Sequence, residues 1–127
     1  MKKSTENWLK IAKCELNAAD TLFEANNYLK SVEHCHAALE KILKGLITED
    51  DQTPEKIHNL LRLASTAIVE NLQKDILDIL EEVNEIFIST RYPEEYEILL
   101  ESLNHDRTKN ILVATKRTFK WLETKLK

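Results

Sequence analysis

The sequence predicts an all-α fold, an up-and-down bundle of four to five antiparallel helices in a single domain that spans residues 1–127. Five segments repeat their apolar residues with a period of about 3.6 residues, which is typical of amphipathic helices. The chain contains only one glycine and two prolines, too few for the many turns of a sheet-rich fold. Short connections between the segments favour antiparallel neighbours.

The composition narrows the possible function classes. The net charge is −4 and 31% of the residues are charged, which is typical of a folded, well-solvated domain. A sequence-specific DNA-binding protein usually carries a net basic charge or a dense basic stripe, so we do not expect this class. The segment after Thr108 contains six basic residues and one acidic residue, Glu123. We interpret them as a solvated helix face with a cationic end, with a local basic patch as the alternative: Lys109, Lys116, Arg117, Lys120, Lys125 and Lys127.

Neither a membrane segment nor a metal centre is expected. No apolar stretch approaches the length of a membrane span, and no apolar run of a secretory signal follows the N-terminal lysines. The two cysteines, Cys14 and Cys35, form no CxxC pair, which is typical of reduced cytoplasmic thiols. Cys35 is flanked by His34 and His36, but such neighbours point apart on a helix and cannot share one ion. We therefore expect a cytoplasmic protein without a cofactor.

The first helix is predicted from about Ser4 to Ala25. Its apolar stripe consists of Trp8, Ile11, Ala12, Ala19, Leu22 and Phe23. Glu15 falls in the middle of this stripe, where an unpaired buried charge would be very costly. Two interpretations stay open: a locally wet seam, or an ion pair between Glu15 and an arginine or lysine of another helix.

The second helix is predicted from about Tyr28 to Ile47. Its core stripe consists of Tyr28, Val32, Cys35, Leu39, Ile42, Leu43 and Leu46. Beside it, His36, Glu40 and Lys44 recur every four residues, and Glu40 precedes Lys44 in the orientation that favours an ion pair. Small residues recur every seven positions on the other flank, where a bundle neighbour or a second subunit can approach closely: Ser31, Ala38 and Gly45.

The third helix is predicted to start at Thr53 and Pro54, an N-cap followed by a proline in the first turn. It carries the apolar residues Ile57, Leu60, Leu61, Ala64 and Ile68. The fourth helix is predicted from about Leu72 to Thr90. It ends near Arg91, because Pro93 disfavours helical geometry at the residue before it.

The remainder of the chain divides into two parts. The stretch Glu94–Asn104 alternates acidic and apolar residues, and both a short helix and a mobile loop stay open for it. Asp106 is the expected cap of the last helix. That helix presents Ile111, Leu112, Thr115, Phe119, Leu122 and Leu126 to the core.

Arg91 is the first candidate for a functional residue. It ends a helix before the rigid step Tyr92–Pro93 and shares an apolar stripe with Asn84. A guanidinium group in this position can bind a carboxylate or a phosphate through two hydrogen bonds. The alternative is an internal ion pair with Glu15 or Glu40.

His58 is the second candidate, and it is predicted one turn into the third helix. A neutral histidine can exchange protons near neutral pH. One interpretation is a polar group in a site formed with another helix. The other is a partly buried structural histidine that bonds to a neighbouring helix or loop.

Three of these segments together resemble the HEPN family of small helical domains. Within His34–Leu46, residues 37–44 are similar to the family's helix with an Ala-Ala-x-Glu-Lys-x-Leu-Lys core. The stretch Lys56–Leu60 is similar to its His-x-Leu element, and Thr90–Glu94 to its Arg-Tyr-Pro-acid turn. The resemblance covers nearly the whole chain, from about Trp8 to Leu122.

The resemblance implies a helical bundle that forms a homodimer and acts with a small nucleotidyltransferase of the minimal type, as in toxin–antitoxin modules. Many family members are RNases whose site has the pattern Arg-x(4–6)-His, with two subunits bringing their motifs together. Here the positions that follow Arg91 at this spacing hold no histidine but Tyr96, Glu97 and Ile98, and the next histidine is His105.

The resemblance therefore predicts a dimer that binds a nucleotide or RNA and lacks the usual RNase site. The expected phosphate contacts are Arg91, Lys44 and His58, and the supporting residues are Glu40, Asn84 and Tyr92. The first alternative is a metal-independent RNase that uses Arg91 with an atypical partner, such as His105. The second is a purely structural interaction protein.

Overall fold

The computed structural model describes residues 1–68 and 71–126. The elements are α1 (Lys3–Glu24), α2 (Tyr28–Glu49), α3 (Leu60–Ala67), α4 (Lys74–Ser89), a 3₁₀ turn (Pro93–Glu95), α5 (Tyr96–Ser102) and α6 (His105–Thr124). The described residues contain no strand, which confirms the predicted all-α class. Lys127, one of the six basic residues near the end of the chain, falls outside the described residues.

Helix α2 lies at the centre of the bundle and packs against α1, α3, α4 and α6. The core side of α2 is buried, and its most deeply buried apolar residues are Val32, Cys35, Ala38, Leu39, Ile42, Leu43 and Ile47. Phe119 of α6 is the largest fully buried side chain. Within the described part of the chain, no helix combines the length and the apolar character that crossing a membrane requires.

The small residues of α2 form the contact with α1. The hydroxyl of Ser31 donates a hydrogen bond of 2.7 Å to the carbonyl oxygen of Ala19. A Cβ atom on Gly45 would lie 3.2 Å from Cβ of Trp8. Of the two interpretations of this stripe, the structure therefore supports close approach by a neighbour within the bundle.

The predicted start of the third helix at Thr53 is wrong. Helix α3 begins at Leu60, and the side-chain oxygen of Asn59 accepts hydrogen bonds from the backbone N–H groups of Leu61 and Arg62 at 3.0 and 3.2 Å. The N–H of Leu60 donates to Oδ1 of Asn84 at 3.0 Å. The side chains of Asn59 and of Asn84 in α4 thus accept hydrogen bonds from backbone N–H groups that the first turn of α3 leaves without a helical partner. Residues 52–59 precede this capped start and are not helical. They carry His58 across the surface of α2.

The cap of the last helix also differs from the prediction. Oδ1 of Asn104 accepts a hydrogen bond of 2.9 Å from the N–H of Arg107, so Asn104 caps α6. Asp106 lies inside the first turn, where its charge favours the helix dipole. The stretch Glu94–Asn104 is a short helix and not a loop: it contains the end of the 3₁₀ turn and then α5.

Candidate functional site

Glu40 is a buried carboxylate in contact with one histidine and two lysines. Its side chain is 3% exposed. Oε1 accepts a hydrogen bond of 2.8 Å from Nδ1 of His58, and Oε2 lies 2.7 Å from Nζ of Lys41 and 3.3 Å from Nζ of Lys44. The predicted pair of Glu40 and Lys44 is confirmed. Burial raises the pKa of Glu40, but the hydrogen bonds from Lys41 and His58 and the charges of both lysines outweigh it and lower this pKa to about 2.

His36 connects the same cluster to α4. Its Nε2 lies 2.9 Å from the backbone oxygen of His58, and its ring stacks on Phe87 with centroids 3.9 Å apart. Burial lowers the pKa of His36 to about 4, although Glu40 and the bond to His58 oppose this shift. The imidazole is therefore neutral at pH 7, and its Nε2–H group donates to the His58 carbonyl.

Arg91 and His58 line one cavity between the end of α4 and the segment before α3. The cavity has a volume of about 270 Å³ and is lined by Ile57, His58, Asn59, Asn84, Phe87, Ile88 and Arg91. Cζ of Arg91 lies 4.8 Å from the ring centroid of Phe87, within the range of a cation–π contact. Among the described residues, no aspartate or glutamate lines this cavity, so its only formal charge is positive.

The internal ion pair considered for Arg91 is not observed. Among residues 1–68 and 71–126, no carboxylate lies within 4.0 Å of its guanidinium group. Glu40 is occupied by His58 and two lysines. Glu15 accepts a hydrogen bond of 2.6 Å from Nδ1 of His34 in α2, so its observed partner is a histidine and not the arginine or lysine of the second interpretation. The exposed guanidinium of Arg91 remains open to a ligand.

The chain matches a family of known proteins along almost its whole length. The family model of the HEPN domain matches residues 5–125. The chain belongs to the HEPN domain family. No curated protein matches it at a significant level.

Two solved structures share the fold of this HEPN domain. The crystal structure of TT1696 from Thermus thermophilus is 20% identical, with a TM-score of 0.85, and the match covers 98% of this chain and 99% of that one. The crystal structure of ST0689, an archaeal HEPN homologue, is also 20% identical, with a TM-score of 0.77 over 100% of both chains. At this identity, the two structures support the fold.

The three segments that carry the family resemblance converge at one place in this HEPN domain. Glu40 comes from the Glu-Lys helix, His58 from the His-x-Leu element and Arg91 from the Arg-Tyr-Pro turn. His58 contacts Glu40 directly and shares the cavity with Arg91. At the first position where the RNase motif would place its histidine stands Tyr96, the exposed first residue of α5.

Lys44 and Tyr92 do not line the Arg91 cavity. The Lys44 side chain is 9% exposed, pairs with Glu40 and lies 5.9 Å from the ring centroid of Trp8. It lines a separate depression between α1 and residues 52–56. Tyr92 follows Arg91 with an exposed side chain. The cavity thus brings together Arg91, His58 and Asn84, with Glu40 behind His58.

His105 lies at the other end of α2 from this cavity. Its ring centroid is 5.0 Å from that of Phe23 and 6.0 Å from that of Tyr28. Tyr28 precedes His36 by eight residues on α2, or about 12 Å at 1.5 Å per residue. The structure therefore brings His58, and not His105, to the cavity of Arg91.

Sequence reasoning missed two residues that shape the site. Phe87 of α4 is only partly buried and forms a wall of the cavity. Its spacing of four residues before Arg91 was the available signal, since such residues are neighbours on a helix. Asn59 was overlooked because the cap was assigned to Thr53.

Proposed function

We propose that this HEPN domain protein binds a nucleotide or RNA, with a phosphate group at Arg91, as a homodimer that acts with a small minimal nucleotidyltransferase in a toxin–antitoxin type of module. The observation that carries the proposal is the exposed Arg91 guanidinium at a cavity without a carboxylate in its described lining. In a chain with a net charge of −4, such a local excess of positive charge favours an anion. Guanidinium groups bind phosphate through two parallel hydrogen bonds.

The dimer part of the proposal draws support from exposed apolar side chains near Arg91. Large apolar side chains between the end of α4 and α5 are exposed to solvent: Ile88, Tyr92, Tyr96, Ile98 and Leu100. Exposed apolar groups of this kind are typical of surfaces that contact a partner. Measuring the mass in solution tests this part, and a strict monomer at micromolar concentration contradicts it.

Titration of a labelled RNA hexanucleotide and of ATP, followed by fluorescence anisotropy, tests the binding site. Arg91→Ala removes one charged hydrogen-bond donor and is expected to weaken binding by roughly 10- to 100-fold. Arg117→Ala is the control, because it removes another exposed arginine, which lies on α6. Equal affinities of the wild type and Arg91→Ala would remove Arg91 from the site.

The nucleotidyltransferase partnership is tested separately. A reading frame for a small nucleotidyltransferase beside the gene of this protein, and co-purification of the two products, are the expected results. Failure of the two proteins to associate contradicts the partnership and leaves the binding site at Arg91 unaffected.

A slow, metal-independent RNase is the second candidate, and one observation favours it: His58 lines the same cavity as Arg91. In such a reaction the ribose 2′-oxygen attacks phosphorus and the 5′-oxygen leaves. The 2′-hydroxyl loses a proton and the 5′-oxygen gains one, giving a 2′,3′-cyclic phosphate and a 5′-hydroxyl. Intact RNA on a denaturing gel after long incubation with the dimer rules this candidate out.

A further inference from the structure

A second cavity, the depression between α1 and residues 52–56, is named the Trp8 cavity here. Its volume of about 420 Å³ exceeds that of the Arg91 cavity and is typical of small-molecule sites. The half-buried side chains of Trp8 and Pro54 give it apolar walls. Within the described part of the chain, no residue lines both cavities, so a ligand of the Trp8 cavity does not depend on phosphate binding at Arg91.

Lys44 brings a positive charge to the Trp8 cavity from the central helix. Its side chain is 9% exposed and belongs to the lining. Nζ of Lys44 lies 3.3 Å from Oε2 of Glu40, but the same oxygen lies 2.7 Å from Nζ of Lys41. Two ammonium groups therefore share one carboxylate. Because buried charges in proteins are paired, a further anion beside Lys44 would be stabilising.

The other charged residues of the lining do not supply this anion. The carboxylate of Glu55 accepts hydrogen bonds of 2.9 and 3.2 Å from the guanidinium group of Arg62. Lys56 is exposed, and among residues 1–68 and 71–126 it has no carboxylate partner. With two lysines and one glutamate, the described lining has one positive charge in excess.

The walls and the charge of the cavity together favour a flat ring that carries one negative charge. Aromatic rings that pack against an indole gain energy beyond the burial of apolar area. The excess of one positive charge matches a monoanion. The described lining contains no arginine, whose forked guanidinium group suits phosphate. A lysine binds an anion as a compact point charge, which a carboxylate satisfies.

We infer that the Trp8 cavity binds a small aromatic carboxylate, with the ring against Trp8 and the carboxylate paired with Nζ of Lys44. Lys44 then lies between two carboxylates, that of the ligand and that of Glu40. Glu40 keeps its contacts with Lys41 and His58.

Isothermal titration calorimetry with three probes of similar size tests the inference on the unaltered protein: 2-naphthoate, its neutral carboxamide and the saturated decalin carboxylate. 2-Naphthoate is expected to bind roughly 10- to 100-fold more tightly than the carboxamide, as for a hydrogen bond to a charged group. It is expected to bind roughly 3- to 10-fold more tightly than the saturated acid, which cannot stack on Trp8. Absence of 2-naphthoate binding at millimolar concentration would overturn the inference, as would equal affinities for the acid and the carboxamide.

Two lysine variants show whether Lys44 contacts the carboxylate. Lys44→Met retains an apolar side chain of similar length, so the preference for the acid is expected to disappear while the affinity for the carboxamide stays unchanged. Lys41→Met is the matched control, because Lys41 contacts the same Glu40 oxygen but does not line the cavity. It is expected to preserve the preference. Persistence of the preference in Lys44→Met, or its loss in both variants, contradicts the contact with Lys44.

NMR of the unaltered protein locates the ligand without any substitution at the site. Trp8 and Trp121 are the two tryptophans of the chain, and Trp121→Phe assigns their indole N–H signals. 2-Naphthoate is expected to shift the Trp8 signal until saturation and to leave the Trp121 signal in place. An unmoved Trp8 signal at saturating 2-naphthoate overturns the inference. Arg91→Ala is expected to leave this titration unchanged, so the outcome is independent of the proposed function.

Discussion

Oε1 of Glu40 and Nδ1 of His58 lie 2.8 Å apart, and this contact joins the centre of α2 to the non-helical segment before α3. A second contact reinforces it, the 2.9 Å bond between Nε2 of His36 and the backbone oxygen of His58. Two residues one turn apart on α2 therefore fix both the side chain and the backbone of His58. This arrangement places His58 at the cavity of Arg91, and the stability of the cluster can be tested directly.

Acidification is expected to destabilise the protein through His36. Burial lowers the pKa of His36 from an ordinary value of 6.5 to about 4, so between these values the unfolded chain binds a proton that the folded chain does not. The free energy of unfolding that depends on a neutral His36 is fully present above pH 6.5 and is lost as the pH falls towards 4. It amounts to about 3 kcal/mol at roughly 1.4 kcal/mol per pKa unit. Urea unfolding at pH 7.5 and pH 5.0 is expected to show about 2 kcal/mol of this loss, because pH 5.0 lies about 1.5 units below 6.5.

Two variants show whether this loss belongs to His36. His36→Gln removes the titrating group and is expected to flatten the pH dependence of the free energy of unfolding between pH 6.5 and 4. His105→Gln removes an exposed histidine of α6 and is expected to preserve the dependence. The same slope in His36→Gln and the wild type would contradict the assignment.

Glu40→Gln is expected to lower the free energy of unfolding at pH 7 by about 3 kcal/mol. It removes the charge that neutralises Lys44, whose side chain is 9% exposed, and an unpaired buried charge is strongly destabilising. The double variant Glu40→Gln/Lys44→Met is expected to recover part of the loss, as a double-mutant cycle by urea unfolding would show. Glu33→Gln is the control, because its pair with the exposed Lys30 is worth less than about 1 kcal/mol. Equal losses in Glu33→Gln and Glu40→Gln would count against a special role of the buried pair.

Asn59→Ala is expected to cost about 1 kcal/mol of stability, because Asn59 accepts two hydrogen bonds at the start of α3. Thr53→Ala replaces the residue that the sequence suggested as the cap, and it is expected to change stability by less than about 0.5 kcal/mol. Thermal unfolding of the two variants under identical conditions distinguishes the two positions. A larger loss in Thr53→Ala would place the cap there after all.

Gly45→Ala is expected to destabilise the contact of α1 with α2, although alanine is the better helix former by about 1 kcal/mol. The new Cβ atom would lie 3.2 Å from Cβ of Trp8, and a Cβ atom moves only with its backbone. Overpacking of this kind typically costs about 1–3 kcal/mol, so a net loss should appear in urea unfolding. Glu81→Ala on the exposed face of α4 is the control and should stay within about 0.5 kcal/mol of the wild type.

The positions of α2 and α6 were predictable because each of these helices buries one continuous apolar stripe, whereas Ile11 of the predicted α1 stripe is exposed. The stripes of α2 and α6 lie in the core as expected, from Val32 to Leu46 and from Ile111 to Leu126. The starts of α3 and α6 were not predictable in the same way. Thr53 and Asp106 are good caps by residue type, but Asn59 and Asn104 form the bonds, and a cap forms only where the backbone reaches the right geometry.

For the candidate site, the sequence by itself indicated the candidate residues: Glu40, His58 and Arg91 stand in recognisable local patterns. Only the tertiary structure decided that His58 shares the cavity with Arg91, that His105 lies elsewhere and that the pair of Glu40 and Lys44 is buried. The physical reason is that helical periodicity fixes which face a residue occupies on its own helix. The contacts between residues that lie far apart in the chain depend on how the helices pack together.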